Sequence, residues 1–256
     1  MAISFKQKMW RVNHQLTEEV AENRLLINLL FPSLELKGMF VFDAGCGRGG
    51  WSIAFGRKMA GRVVGVDISH SSLQTAVAWG RKNTVTSVRF AQSNLEYLPI
   101  RDDVADLVFC WGVLHYCEDP EKALRELCRI CSPSGQIFLQ AHKRTAATWF
   151  HDTARRIVKS IPRAVRGWVL ELCVGFLLFL GLITGSKRLM GSERVRQKVA
   201  ERWFYPGTLH SLRANDLLKC ARKLGWAGQY VSLDHPNRYN PSNSFLLCFR
   251  KNSLPP

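Results

Sequence analysis

The first half of the chain alternates short apolar runs with segments of helical spacing. Met39–Asp43, Arg62–Asp67, Ser87–Ala91, Ala105–Cys110 and Gln136–Gln140 are five runs of strand length. Short apolar runs of this length read as strands. Between them, Trp51–Met59, Ser71–Lys82 and Pro120–Cys131 repeat apolar positions at three and four residues, the period of a helix packed on one side. Strands alternating with single helices predict a parallel sheet with helices on both faces. The expected fold class is thus α/β, a doubly wound, Rossmann-like sheet whose ligand lies at the carboxyl ends of the strands.

Pro133-Ser134-Gly135 stops the third helix and turns the chain toward the fifth strand. After His142 the alternation breaks. It resumes with a helix over Asn215–Leu224, capped by Asn215 and ended by Gly225. Two closing strands are expected near Gln229–Asp234 and Ser244–Arg250, joined through the turn-rich Pro236–Asn243, which gives about seven strands with a final antiparallel hairpin. The chain reads as a single domain: an N-terminal helical segment 1–38, a core 39–142, an insertion 143–202 and a closing part 203–256.

Charge singles out the insertion. The chain carries a formal net charge of +16. The segment 143–202 alone holds 13 basic residues against four acids (Asp152, Glu171, Glu193, Glu201), so the remainder is only mildly basic. Within that segment Trp168–Ile183 is the most apolar stretch of the chain, flanked by Arg163 and Arg166 before and Lys187 and Arg188 after. It is short for a membrane span and carries Glu171. Three readings stay open: a lid over a ligand site, a helix at an anionic membrane interface, and a true span. The first two both favour an apolar, lipid-like ligand. A nucleic-acid partner is the rival that the charge invites, although no RNA-binding module is recognisable.

Residues 1–16 contain no apolar core of a secretory signal, so the expected location is the cytoplasm, with peripheral membrane contact as the variant. The eight cysteines then read as buried thiols. Cys128 and Cys131 have CxxC spacing but fall on a helical apolar pattern with no second ligand pair, so no metal is expected.

The loop Asp43-Ala-Gly45-Cys-Gly47-Arg-Gly49-Gly50 joins the first strand to the first helix. Gly45, Gly47 and Gly50 fit the dinucleotide pattern GxGxxG, and Gly45, Gly47 and Gly49 fit GxGxG equally well. Asp67, ending the second strand, suits the ribose hydroxyls of a nucleoside-containing cofactor. Asn94, followed by Leu95, could pair with an adenine edge and cover its ring.

Together these segments resemble class I S-adenosylmethionine-dependent methyltransferases of the small-molecule type that includes quinone-biosynthesis enzymes. Val41–Gly49 is similar to the family's first motif, Val64–Ser69 to its acidic second, and Asn94–Pro99 to its adenine motif, where Asn94 replaces the usual Asp. Cys110–Tyr116 resembles the segment after the fourth strand, and Ala123–Gly135 the helix and turn before the fifth. The resemblance implies S-adenosylmethionine as cofactor. Gly45, Cys46 and Gly47 would face its methionine part through backbone groups. Asp67 would hold both ribose hydroxyls, Ile68 would pack on adenine, and Asn94 and Leu95 would read the adenine edge. Cys110 and Trp111 belong to the same lining. Asp43 either bonds loop amides or orients the loop and the methionine amine.

Methyl transfer needs no protein nucleophile, only alignment, dryness and a base where the acceptor is protonated. His115 and His142, after the fourth and fifth strands, are the candidate bases. Tyr205 and His210 could line the acceptor pocket. The implied activity is methyl transfer to a small, apolar acceptor. The alternatives are a nucleic-acid methyltransferase and a catalytically silent, cofactor-binding partner subunit.

Overall fold

The computed structural model describes residues 5–32, 35–58, 61–143, 157–158, 160–184, 212–231 and 244–252. The chain divides into two compact units, Met1–Lys143 with Leu212–Pro256, and Arg144–Ser211.

In the first unit, helix α1 (Phe5–Leu30) precedes β1 (Phe40–Ala44), α2 (Gly50–Arg57), β2 (Arg62–Asp67), α3 (His70–Lys82), β3 (Val88–Gln92), β4 (Ala105–Trp111), α4 (Pro120–Ile130) and β5 (Cys131–His142). In the second unit, α5 (Arg166–Thr184) follows a 3-10 turn at Arg163–Val165. The first unit closes with α6 (Ala214–Lys223), β6 (Trp226–Tyr230) and β7 (Ser244–Lys251). The seven strands form one sheet in the order β3-β2-β1-β4-β5-β7-β6. β1 to β5 run parallel to one another, and β7 runs antiparallel to both β5 and β6. The strand order therefore reverses between β1 and β4, where a doubly wound sheet opens its ligand crevice.

The strands feed two cores by simple alternation. Leu107 and Phe109 pack with Leu16, Ile27, Trp51, Ile53 and Trp79 on the α1, α2 and α3 side. Val108 and Cys110 pack with Ala123, Leu127, Leu217 and Ala221 on the α4 and α6 side. Both faces of the central strands are thus covered, as parallel strands require.

Helix starts follow local capping chemistry. The Ser69 hydroxyl accepts the Ser72 amide at the head of α3, and Asp119 accepts the Lys122 amide at the head of α4, with Pro120 as first residue.

Three local expectations are corrected. α6 begins at Ala214 with Arg213 as its cap, so Asn215 sits inside the first turn and accepts a bond from Tyr230 Oη at 3.4 Å instead. β6 occupies Trp226–Tyr230 rather than Gln229–Asp234. Gly225 adopts φ +82° and turns the chain straight from α6 into the strand, so the buried Trp226 anchors its first position. β5 begins at Cys131, pairs once with Ala105, then shifts register before Gln136 pairs with Leu107. Pro133–Gly135 therefore makes an irregularity within the strand rather than a turn before it.

Candidate functional site

The carboxyl ends of β1, β2, β3, β4 and β5 bring most of the expected residues to one edge of the sheet. At β1 the chain turns through Gly45 (φ +76°) and Gly47 (φ +53°), a left-handed path open to glycine. A side chain on Gly45 would collide with Val113, which follows β4 and covers the loop. A side chain on Gly47 would meet nothing within 4 Å. The loop is therefore closed against the protein at one glycine and open to a ligand at the other.

Its amides are already committed. Gly45 and Cys46 both donate to the Val66 carbonyl at 2.8 Å, and Gly47 donates to Asp67 Oδ2 at 2.8 Å. The expectation that backbone groups of Gly45, Cys46 and Gly47 face the methionine part narrows accordingly. With its donors holding β2, the loop can meet a ligand through the carbonyls of Gly45 and Gly47, which suit an ammonium rather than a phosphate.

Asp67 Oδ1 accepts the Ser69 amide at 2.8 Å, so the carboxylate is held by two backbone donors at the end of β2. Each oxygen keeps a lone pair for a ribose hydroxyl. Ile68 beside it is exposed, as an adenine-packing residue must be before its ligand arrives. At the end of β3, Asn94 Oδ1 accepts the Glu96 amide at 2.9 Å in a local turn. Leu95 is buried in the core, so its side chain does not cover an adenine ring and only its main chain could reach the edge. Cys110 is also enclosed in that core, whereas half-buried Trp111 stacks on Phe109 with ring centroids 5.8 Å apart.

Asp43 is tied to α2 by a side-chain bond. Its Oδ2 accepts the Ser52 hydroxyl at 2.6 Å, tying β1 to α2, and burial raises the carboxyl from 3.8 to about 7 against the lowering bonds from Ser52. Burial likewise pushes the Cys46 and Cys110 thiols up, so neither is a thiolate at neutral pH. Cys128 and Cys131 are buried and pushed up by the same cause.

The two histidines meet. His142 is exposed at the end of β5, and its ring lies edge-on to that of His115, with centroids 4.4 Å apart. His115 is wholly enclosed, and neither ring nitrogen has a hydrogen-bond partner. Burial first, and His142 second, lower its pKa from 6.5 to about 3. A ring so enclosed and so weakly basic is ill suited to take a proton from an acceptor. Tyr205 and His210 lie outside the described residues.

One residue unsuspected in the sequence separates the two glycine patterns. In a dinucleotide site the pyrophosphate rests on the amino end of the first helix. Here the Glu19 carboxylate of α1 stands against Gly50 at that end, where an added Cβ would lie 2.5 Å from its Oε1. Glu19 also pairs with Arg48 at 3.6 Å. A carboxylate on the α2 terminus satisfies the helix dipole and repels a pyrophosphate. The open Gly47, the carbonyls beside it, Asp67 and exposed Ile68 instead fit an amino acid joined to a nucleoside.

The comparisons agree. Residues 42–139 match the family described as "Methyltransferase domain". A ubiquinone biosynthesis O-methyltransferase of Neisseria meningitidis is 25% identical over 149 residues, 57% of this chain and 63% of that protein. A tRNA U34 carboxymethyltransferase of Campylobacter curvus is 33% identical over 150 residues, 55% of this chain and 50% of that protein. The chain thus spans between half and two thirds of the length of these relatives. The fold matches a magnesium protoporphyrin IX methyltransferase from Synechocystis, solved with bound SAH, with a TM-score of 0.56 at 19% identity, over 98% of this chain and 90% of that one. Strand order, glycine loop, acidic strand end and family match converge: residues 42–139 are similar to the methyltransferase-domain family, and the site they form suits S-adenosylmethionine as cofactor.

Proposed function

We propose that this chain transfers the methyl group of S-adenosylmethionine to a small, apolar acceptor. The observation that carries the reading is the pairing of the open Gly47 turn with the Asp67 carboxylate, beside an α2 terminus closed to pyrophosphate by Glu19. When bound, the cofactor supplies an electrophilic methyl on a sulfonium.

The chain's own residues then have defined tasks. Asp67 binds the ribose hydroxyls, and its bonds to Gly47 and Ser69 keep it oriented before the ligand arrives. The loop carbonyls hold the ammonium. His142, exposed at the end of β5, takes a proton from an acceptor that carries one. His115 positions that ring by edge contact and stays neutral throughout.

The apolar acceptor is supported by the aliphatic stretch Trp168–Ile183 that follows β5 in the chain, and by a quinone-pathway enzyme among the relatives. A second reading, an RNA acceptor, is favoured by the net charge of +16 and by a tRNA-modifying relative. Incubation of the protein with labelled methyl donor and cell extract decides between them. Label extracted into organic solvent supports the proposal, and label confined to RNA overturns its acceptor. Heat of binding with S-adenosylhomocysteine but no label anywhere would mark a silent subunit.

A further inference from the structure

Helix α5 presents an apolar stripe to solvent. Trp168, Leu172, Phe176 and Phe179 are 76, 73, 61 and 59% exposed. Their spacing of four, four and three residues confines them to an arc of about 80° along roughly 17 Å of helix. Val174, on the opposite side of α5, is only 5% exposed, so this helix already has an inward face. A stripe of two phenylalanines, a leucine and a tryptophan left in water calls for an occupant.

We propose that this stripe docks on a membrane surface containing anionic lipid. The charge of the segment selects that occupant. Residues 143–202 carry 13 basic against four acidic residues, with Arg163 and Arg166 before the apolar stretch and Lys187 and Arg188 after it. An apolar stretch flanked by cations along the sequence matches an acyl layer beneath acidic headgroups. A second copy of the chain would bring two such basic segments together and meet repulsion. A nucleic acid would set phosphates against a stripe that has no cation between its members. Trp168 stands at the amino end of the stripe, and its indole suits the headgroup level, with the phenylalanines laid along the acyl boundary. Among the described residues no helix is long and apolar enough to cross a membrane.

Docking of this kind is independent of methyl transfer and is measured without it. The full chain is sedimented with vesicles of phosphatidylcholine alone and of phosphatidylcholine mixed with phosphatidylglycerol. Binding is expected to the mixed vesicles, to weaken as salt rises, and to fall at least tenfold in Trp168→Ser/Phe176→Ser. Calorimetry with S-adenosylhomocysteine confirms that this variant is folded, because neither residue belongs to the cofactor site. Trp168→Phe keeps the apolar area, so it retains binding but loses the fluorescence quenching produced by brominated lipid in the unsubstituted protein. Equal binding to both vesicle types, or undiminished binding by the serine variant, overturns the proposal. So does a dimer in solution that the serine substitutions dissociate, retention on RNA that depends on the same two residues, or resistance of the membrane-bound chain to carbonate extraction.

Discussion

The rings of His115 and His142 meet edge to face with centroids 4.4 Å apart, one fully enclosed and the other in solvent. This single contact divides two residues that look equivalent in sequence. Both stand at the carboxyl end of a strand of the same sheet, yet only His142 is offered to solvent.

The first prediction concerns His115. Its folded pKa of about 3 lies below its ordinary 6.5, so between those values the unfolded chain binds more protons. Stability from the neutral ring is complete above pH 6.5 and is lost as pH falls toward 3, by about 2–4 kcal/mol. In His115→Leu that slope should flatten in urea melts taken across this range. At neutral pH the variant should be as stable as the unsubstituted protein or more so, because it removes two unpartnered buried nitrogens.

Asp43 gives the opposite slope. Its folded pKa of about 7 exceeds its ordinary 3.8, so the folded state binds more protons between them and stability declines as pH rises through 7. Asp43→Asn keeps an oxygen for the Ser52 hydroxyl while removing the buried charge. Its melting temperature should exceed that of the unsubstituted protein at pH 8, by the equivalent of up to about 4 kcal/mol, and match it at pH 4. Ser52→Ala should cost about 1–3 kcal/mol at pH 8, since it strips the carboxylate of its partner.

Gly45→Ala meets two obstacles, the positive φ and the Val113 side chain. Denaturant melts should show a loss of about 2–4 kcal/mol, and calorimetry no cofactor binding. In Gly45→Ala/Val113→Ala the collision is relieved but the backbone cost is not. The double variant should therefore be more stable than the sum of the two single effects.

Asn94 accepts the Glu96 amide through its oxygen, which leaves an NH₂ on the other side of the amide. An exocyclic adenine amine needs an acceptor there. Asn94→Asp retains the turn and supplies a second, charged oxygen. Affinity for S-adenosylhomocysteine should rise about two- to tenfold by calorimetry. No gain would place adenine away from residue 94.

Much of this molecule was legible along the chain because the signals are local. An apolar run such as Leu107–Cys110 announces a strand, and Asp119-Pro120 announces a helix start, without reference to anything distant. The cofactor loop was legible for the same reason, since its glycines and the acidic end of β2 answer to backbone geometry. What escaped were pairings between residues remote in sequence. Ser52 beneath Asp43, Val113 over Gly45 and Glu19 on the α2 terminus carry no local pattern, because each acts only where another element places it. The start of β6 was misplaced because Gly225 could be read only as the end of a helix, whereas its left-handed turn also opens the strand.

By itself, then, the amino-acid order determined the alternating α/β frame, the glycine turn and the basic, apolar insertion, all of which follow from periodicity and composition. The packed structure alone decided which side chains are sealed and which are offered. Leu95, Cys110 and His115 disappeared into the core, while Ile68, His142 and the Trp168 stripe remained in water. The physical reason is that burial is set by contacts between distant segments, and neither a residue's type nor its immediate neighbours specify them.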